Sequence, residues 1–301
     1  MVYIPPVNPR ALLASCAAAV ILLTGCTPKS STSDADAAAA SEVAKAREAM
    51  PTTTSDTPGA DSTAPVSAPP MPATLVNNPI YRVGPLPSAR CAEPAYEPTS
   101  LANVRAYFTQ YLACLNKAWA PVIRKAGFTF TEPKLVVVLG QSPSSPCTVD
   151  DGRDYYCGGT IYMDAATHLD IAKDDPDWAR AWMALEIGHE YGHHVQALTG
   201  ILTALYKHDQ TLNGVEAQLE GTRRMELQAS CFSGAYIGAD RNYFPVTPDW
   251  LVVWRKAILD TIDTEHDHGK GANHARWTTA GFDAATPAAC NTYTAASSLV
   301  G

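Results

Sequence analysis

The spacing of apolar residues changes several times along this chain, and each change predicts a different kind of segment. An apolar run, Ala11 to Leu23, interrupted only by Ser15, stands behind a short start with one cation, Arg10. It is too short to cross a hydrocarbon core of roughly 30 Å, and it has the placement of a signal-peptide h-region, so residues 1–25 are an expected export signal. From residue 26 to 88 periodicity disappears: Ala, Ser, Thr and Pro dominate and aromatics are almost absent. So little apolar surface does not offset the entropy of ordering the chain, and a flexible tether is expected.

Periodic patterning runs from residue 89 to 301, a length that suits one domain. Behind Ser100, a helix cap, Leu101, Val104, Phe108, Leu112, Leu115 and Trp119 recur at intervals of three and four, which predicts a helix closed by Pro121 and Gly127. Lys134 to Leu139 reads as a buried strand, and Gly159 to Met163 as a second. Asp175-Pro176-Asp177 has the proline and acids of a helix start; that helix runs to about Leu198, with Gly200 as its stop. Further helices are expected over Val215 to Ile237 and from Thr247-Pro248-Asp249 through Trp250, Trp254, Ile258 and Ile262. Many helices with few strands give an α+β domain, a small sheet packed on helices.

Composition then adds the compartment. The apolar run ends in Leu23-Thr24-Gly25-Cys26, which resembles the lipobox of bacterial lipoproteins, where cleavage precedes the cysteine and its sulfur takes the lipid. The expectation is an exported protein held to the outer face of a membrane by lipid on Cys26. Cleavage would remove Arg10 and leave 21 cations against 30 anions, a net charge of −9, which argues against nucleic acid as a partner. Beyond Cys16 and Cys26, six cysteines remain in an exported chain, so disulfides are expected. The preferred pairing is Cys91–Cys114, Cys147–Cys157 and Cys231–Cys290.

The chemistry centres on His189-Glu190-Tyr191-Gly192-His193. Histidines four apart share a helix face and reach one ion, while Glu190, about 100° round, meets water rather than metal. Trp178, Trp182 and Leu185 lie on the same face as the histidines, which turns the ligands inward. Zinc with two imidazoles, a carboxylate and an open position suits hydrolysis by a metal-activated water, with Glu190 as general base. A third histidine ten residues after His189 is absent, since Thr199 stands there. The third ligand is therefore sought among Glu216, Glu220 and Glu226 on the next helix, and Glu226 is chosen. His268 is a candidate donor to the oxyanion, and Tyr162, Tyr191 and Tyr236 are weaker alternatives.

His189 to Gln196, followed by Glu226-Leu227-Gln228-Ala229, His268-Gly269, Arg276-Trp277, Gly281-Phe282 and Cys290-Asn291-Thr292-Tyr293, resembles the bacterial neutral zinc metallopeptidase family. The resemblance covers Cys91 to Tyr293. It implies a zincin-like fold, zinc held by His189, His193 and a glutamate, and a peptide or protein substrate lying along Gly159 to Met163 as an edge strand. One position departs: the family carries Asp four residues after the ligand glutamate, and this chain has Ser230. Serine accepts a hydrogen bond from a ligand histidine but brings no charge. A zinc-binding surface lipoprotein that holds a partner with weak or no cleavage is the alternative that this substitution leaves open.

Overall fold

The computed structural model describes residues 70–147 and 153–301. The expected export signal, Cys26 and most of the expected tether lie outside the described residues. Within them the elements are α1 (Ala73–Val76), α2 (Leu101–Lys125), β1 (Lys134–Val138), β2 (Tyr155–Cys157), β3 (Thr160–Asp164), α3 (Ala165–Asp174), α4 (Pro176–Leu198), α5 (Ile201–Asp209), α6 (Val215–Ala239), α7 (Pro248–Leu259) and α8 (Gly271–Ala284). This is a mostly helical α+β fold with one small sheet. No helix among the described residues is long and apolar enough to cross a membrane.

The folded part starts earlier than residue 89. Leu75, Ile80, Val83 and Leu86 are buried in the common core, and the Asn78 side-chain amide donates to the Thr199 carbonyl at 3.0 Å. The expected tether over residues 26–88 is thus corrected at its end, because this sparse apolar series closes the core beside the end of α4. Pro121 likewise does not stop α2, which continues to Lys125. Pro121 is exposed, so the carbonyl it leaves without a helix partner, that of Lys117, lies on the solvent side.

The sheet runs β1-β3-β2, with β1 parallel and β2 antiparallel to β3. Gly158 and Gly159 both have positive φ, 53° and 82°, which a two-residue hairpin turn requires, and this folds β2 back on β3. Consequently β3 is the central strand, buried at every position, and not the edge that the resemblance implied. The edges are β1 and β2, and β2 is tied to the preceding loop by Cys147–Cys157. The other disulfides are Cys91–Cys114 and Cys231–Cys290, so all three pairs are those preferred from the sequence.

Helix α4 is the axis of the molecule. Asp175 caps it by accepting from the Trp178 amide at 2.9 Å, and Pro176 occupies its first turn. From Ala181 to Gln196 every residue is buried, because α2, α3, α5, α6, α7 and the sheet all pack around it. The inward face drawn from Trp178, Trp182 and Leu185 is therefore only part of a helix enclosed on all sides. Two glycines let α6 come close. A Cβ on Gly192 would lie 2.7 Å from Ala229 Cα, and Gly188 faces Ser233 in the same way. The later residue on α4 meets the earlier one on α6, so the helices run antiparallel. This contact sets Glu226, three residues before Ala229, beside His193 and His189.

Candidate metal centre

His189 and His193 project from α4 one turn apart, with their rings edge to face at 4.7 Å. Glu226 comes from α6, and its Oε2 lies 3.1 Å from each imidazole Nε2, while the two Nε2 atoms are themselves 3.1 Å apart. Donors bound to one zinc ion at roughly 2.0–2.1 Å in a tetrahedral array stand about 3.3 Å from one another. The triangle fits such an ion and leaves one side open. His189, His193 and Glu226 are all buried, and the structure brings them together as the sequence expects.

Electrostatics follows from that burial. Burial drives His189 down to about 4. In His193 burial is outweighed by the Glu226 carboxylate, which lifts the ring to about 9. Glu226 in turn is held well below its usual range: burial opposes this, but His193 and His268 outweigh it. Glu190, on the same turn and 4 % exposed, is pushed up to about 8 by burial, against the pull of His193. Its Oε2 is buried with no hydrogen-bond partner, an unspent acceptor.

The outward nitrogen of each imidazole is also engaged. His193 Nδ1 lies 2.9 Å from Gln196 Oε1, and the Gln196 amide donates to the Met225 carbonyl at 2.8 Å and to Gln228 Oε1 at 3.1 Å. His189 Nδ1 lies 2.9 Å from Ser230 Oγ, which lies 3.2 Å from His274 Nδ1 on α8. Gln196 and His274 were not singled out from the sequence. Spacing of three residues from His193 on one helix was a usable signal for Gln196; nothing local marks His274, which arrives from a distant helix.

His268 sits on the loop between α7 and α8, where Asp263 accepts from the backbone of Asp267 at 3.1 Å and of Gly269 at 2.7 Å. Its Nδ1 is 2.5 Å from Asp267 Oδ1, and its Nε2 is 3.6 Å from Glu226 Oε2, so this residue does reach the site. Burial opposes its protonation, but Glu226 and Asp267 outweigh that and raise it. The other candidates lie elsewhere. Glu216 pairs with Arg223 at 2.5 Å and Glu220 with Arg224 at 2.7 Å. Tyr162 stacks on Tyr155 at 4.7 Å, the Tyr191 hydroxyl donates to Asn116 at 2.9 Å, and Tyr236 packs on Tyr111 at 5.5 Å.

Two imidazoles and a carboxylate converging from facing helices define a candidate divalent-metal site in an α+β domain. A family described as "Putative neutral zinc metallopeptidase" matches residues 82–244, and this chain belongs to it. It is 30% identical over 204 residues to YpfJ, an uncharacterized protein of Escherichia coli K12, covering 60% of this chain and 69% of that protein. An uncharacterized protein of Mycobacterium tuberculosis H37Rv is 26% identical over 133 residues, covering 36% of this chain and 43% of its own length. No solved structure matches the chain.

Proposed function

We propose that this protein is a zinc endopeptidase in which His189, His193 and Glu226 hold the ion and Glu190 is the general base. The observation that carries the reading is the 3.1 Å triangle of donor atoms, with Glu190, next to His189 on the same helix, keeping a buried oxygen without a hydrogen-bond partner. A zinc ion supplies Lewis-acid polarisation of a carbonyl and brings water towards ionisation near neutral pH. Glu190, destabilised as an anion by burial, is suited to take a proton from water and return it to the leaving amine near neutral pH. His268, steadied by Asp267, is the proposed donor to the oxyanion. Gln196 and Ser230 hold the imidazoles by their outward nitrogens, which fixes ring orientation.

The fold reading is zincin-like: a helix with both histidines, an antiparallel partner with the glutamate, and a small sheet whose antiparallel strand β2 packs on α4. On this reading an extended peptide substrate adds to β2, with β3 behind it. Export and anchoring through lipid on Cys26 complete the proposal, with a tether holding the domain off the membrane and no role for nucleic acid.

Ser230 favours a second reading, a zinc-holding surface lipoprotein that binds a peptide or protein without cutting it, since a hydroxyl brings no charge to His189. Incubation with a peptide library separates the two. New peptide termini that vanish with a chelator and return with added zinc are expected; an intact library from zinc-loaded protein supports the second reading instead.

A further inference from the structure

The departure at Ser230 raises a question of proton direction. An imidazole that ligates through Nε2 keeps its proton on Nδ1. When His189 ligates through Nε2, the nitrogen that faces Glu226 and His193, its Nδ1–H donates outward, and Ser230 Oγ at 2.9 Å is the acceptor. A carboxylate in that place only accepts. A hydroxyl also carries a proton of its own, and if that proton points at His189 Nδ1 it stabilises the tautomer that does not ligate. Something must therefore turn the hydroxyl away.

We propose that His274 is a positioning residue for the metal site: its Nδ1 accepts the Ser230 hydroxyl proton and so fixes His189 as the Nδ1–H tautomer. The inference rests on the zinc-site reading given above. The geometry has Ser230 Oγ between His189 Nδ1 and His274 Nδ1, at 2.9 and 3.2 Å, with all three side chains buried from water. Helices α6 and α8 hold that spacing: a Cβ on Gly281 would stand 3.0 Å from Cys231 Sγ, next to Ser230, and Cys231 is itself bonded to Cys290. With one proton per hydroxyl the wire runs one way. A neutral His274 with its proton on Nε2, a buried nitrogen with no hydrogen-bond partner, imposes Nδ1–H on His189, whereas a proton on His274 Nδ1 would impose the reverse. The pair thus does by direction what an acid in place of Ser230 does by charge.

The test is the affinity of the full chain for zinc alone, read by competition with a chelator. His274→Leu is expected to weaken it about tenfold to a hundredfold, the usual effect of losing an outer partner of a ligand histidine. His274→Asn, whose amide oxygen replaces the Nδ1 acceptor, is expected to stay close to wild type. In Ser230→Asp/His274→Leu a carboxylate accepts from His189 directly, and affinity should recover. Nitrogen NMR of the metal-free protein should show a larger share of the Nδ1–H form of His189 in wild type than in His274→Leu. Zinc affinity unchanged in His274→Leu, or a double variant as weak as the single one, would overturn the inference and leave the site standing. A wild-type chain without zinc affinity overturns both.

Discussion

Glu190→Gln is expected to lower peptide hydrolysis by about 10²–10⁴-fold, the range for losing a general acid–base group, while leaving zinc bound. The two effects separate because Glu190 lies outside the donor triangle: Glu226 Oε2 and the two imidazole nitrogens close on one another without it. Glutamine keeps the shape and removes only the capacity to take a proton. The variant also has a stability signature in metal-free protein. Burial pushes the Glu190 carboxyl up to about 8, above its ordinary 4.5, so the folded state prefers it protonated. Stability from this group is full below its unfolded pKa and is lost as pH rises through 8. The melting temperature of Glu190→Gln, followed without metal from acid to alkaline pH, should therefore gain on wild type as pH rises. Turnover unchanged in the variant would remove Glu190 as base; a gain that shrinks with pH would contradict its burial as an unwelcome anion.

Glu226→Ala is expected to weaken zinc binding by more than the about hundredfold that outer partners are worth, since it removes a donor and not a support for one. Its effect reaches both histidines. In the intact site the carboxylate lifts His193 against burial and faces His189 at 3.1 Å. Without it two buried imidazoles are left with their Nε2 atoms 3.1 Å apart and no anion to reconcile them. Chelator competition measures the loss, and a circular dichroism spectrum like that of wild type would show that the helices persist. Affinity within a few-fold of wild type would assign the third ligand elsewhere, with His268, whose Nε2 is 3.6 Å from Glu226 Oε2, the candidate.

How much of this was legible depended on whether the cause was local. The start of α4 was readable because Asp175 and Pro176 act within one turn, and the histidine pair because its spacing is that of one helix. Glu226 was reachable because it lies on the next long helix with a matching motif. The three-residue strand β2 is not legible, although Gly158-Gly159 is a hairpin signal, because so short a run carries no periodicity; the edge position that the resemblance implied for β3 belongs to β2. Helix α8 contains Gly271 and Gly281, which weaken a helix on propensity, yet both sit where another backbone passes too closely for a side chain. The end of the tether was misplaced because Leu75, Ile80, Val83 and Leu86 are too sparse to read as a core segment until the partner surface exists. The Ser230–His274 pair belongs to the same category: it joins helices 44 residues apart, and only the fold makes them neighbours.

Anomalous scattering at the zinc edge, from crystals of the protein grown with zinc, tests the central geometry most directly. One peak is expected, within bonding distance of His189 Nε2, His193 Nε2 and a Glu226 carboxylate oxygen, with Glu190 facing its open side. A zinc-free site between these side chains, or an ion held by a different set, would contradict the account.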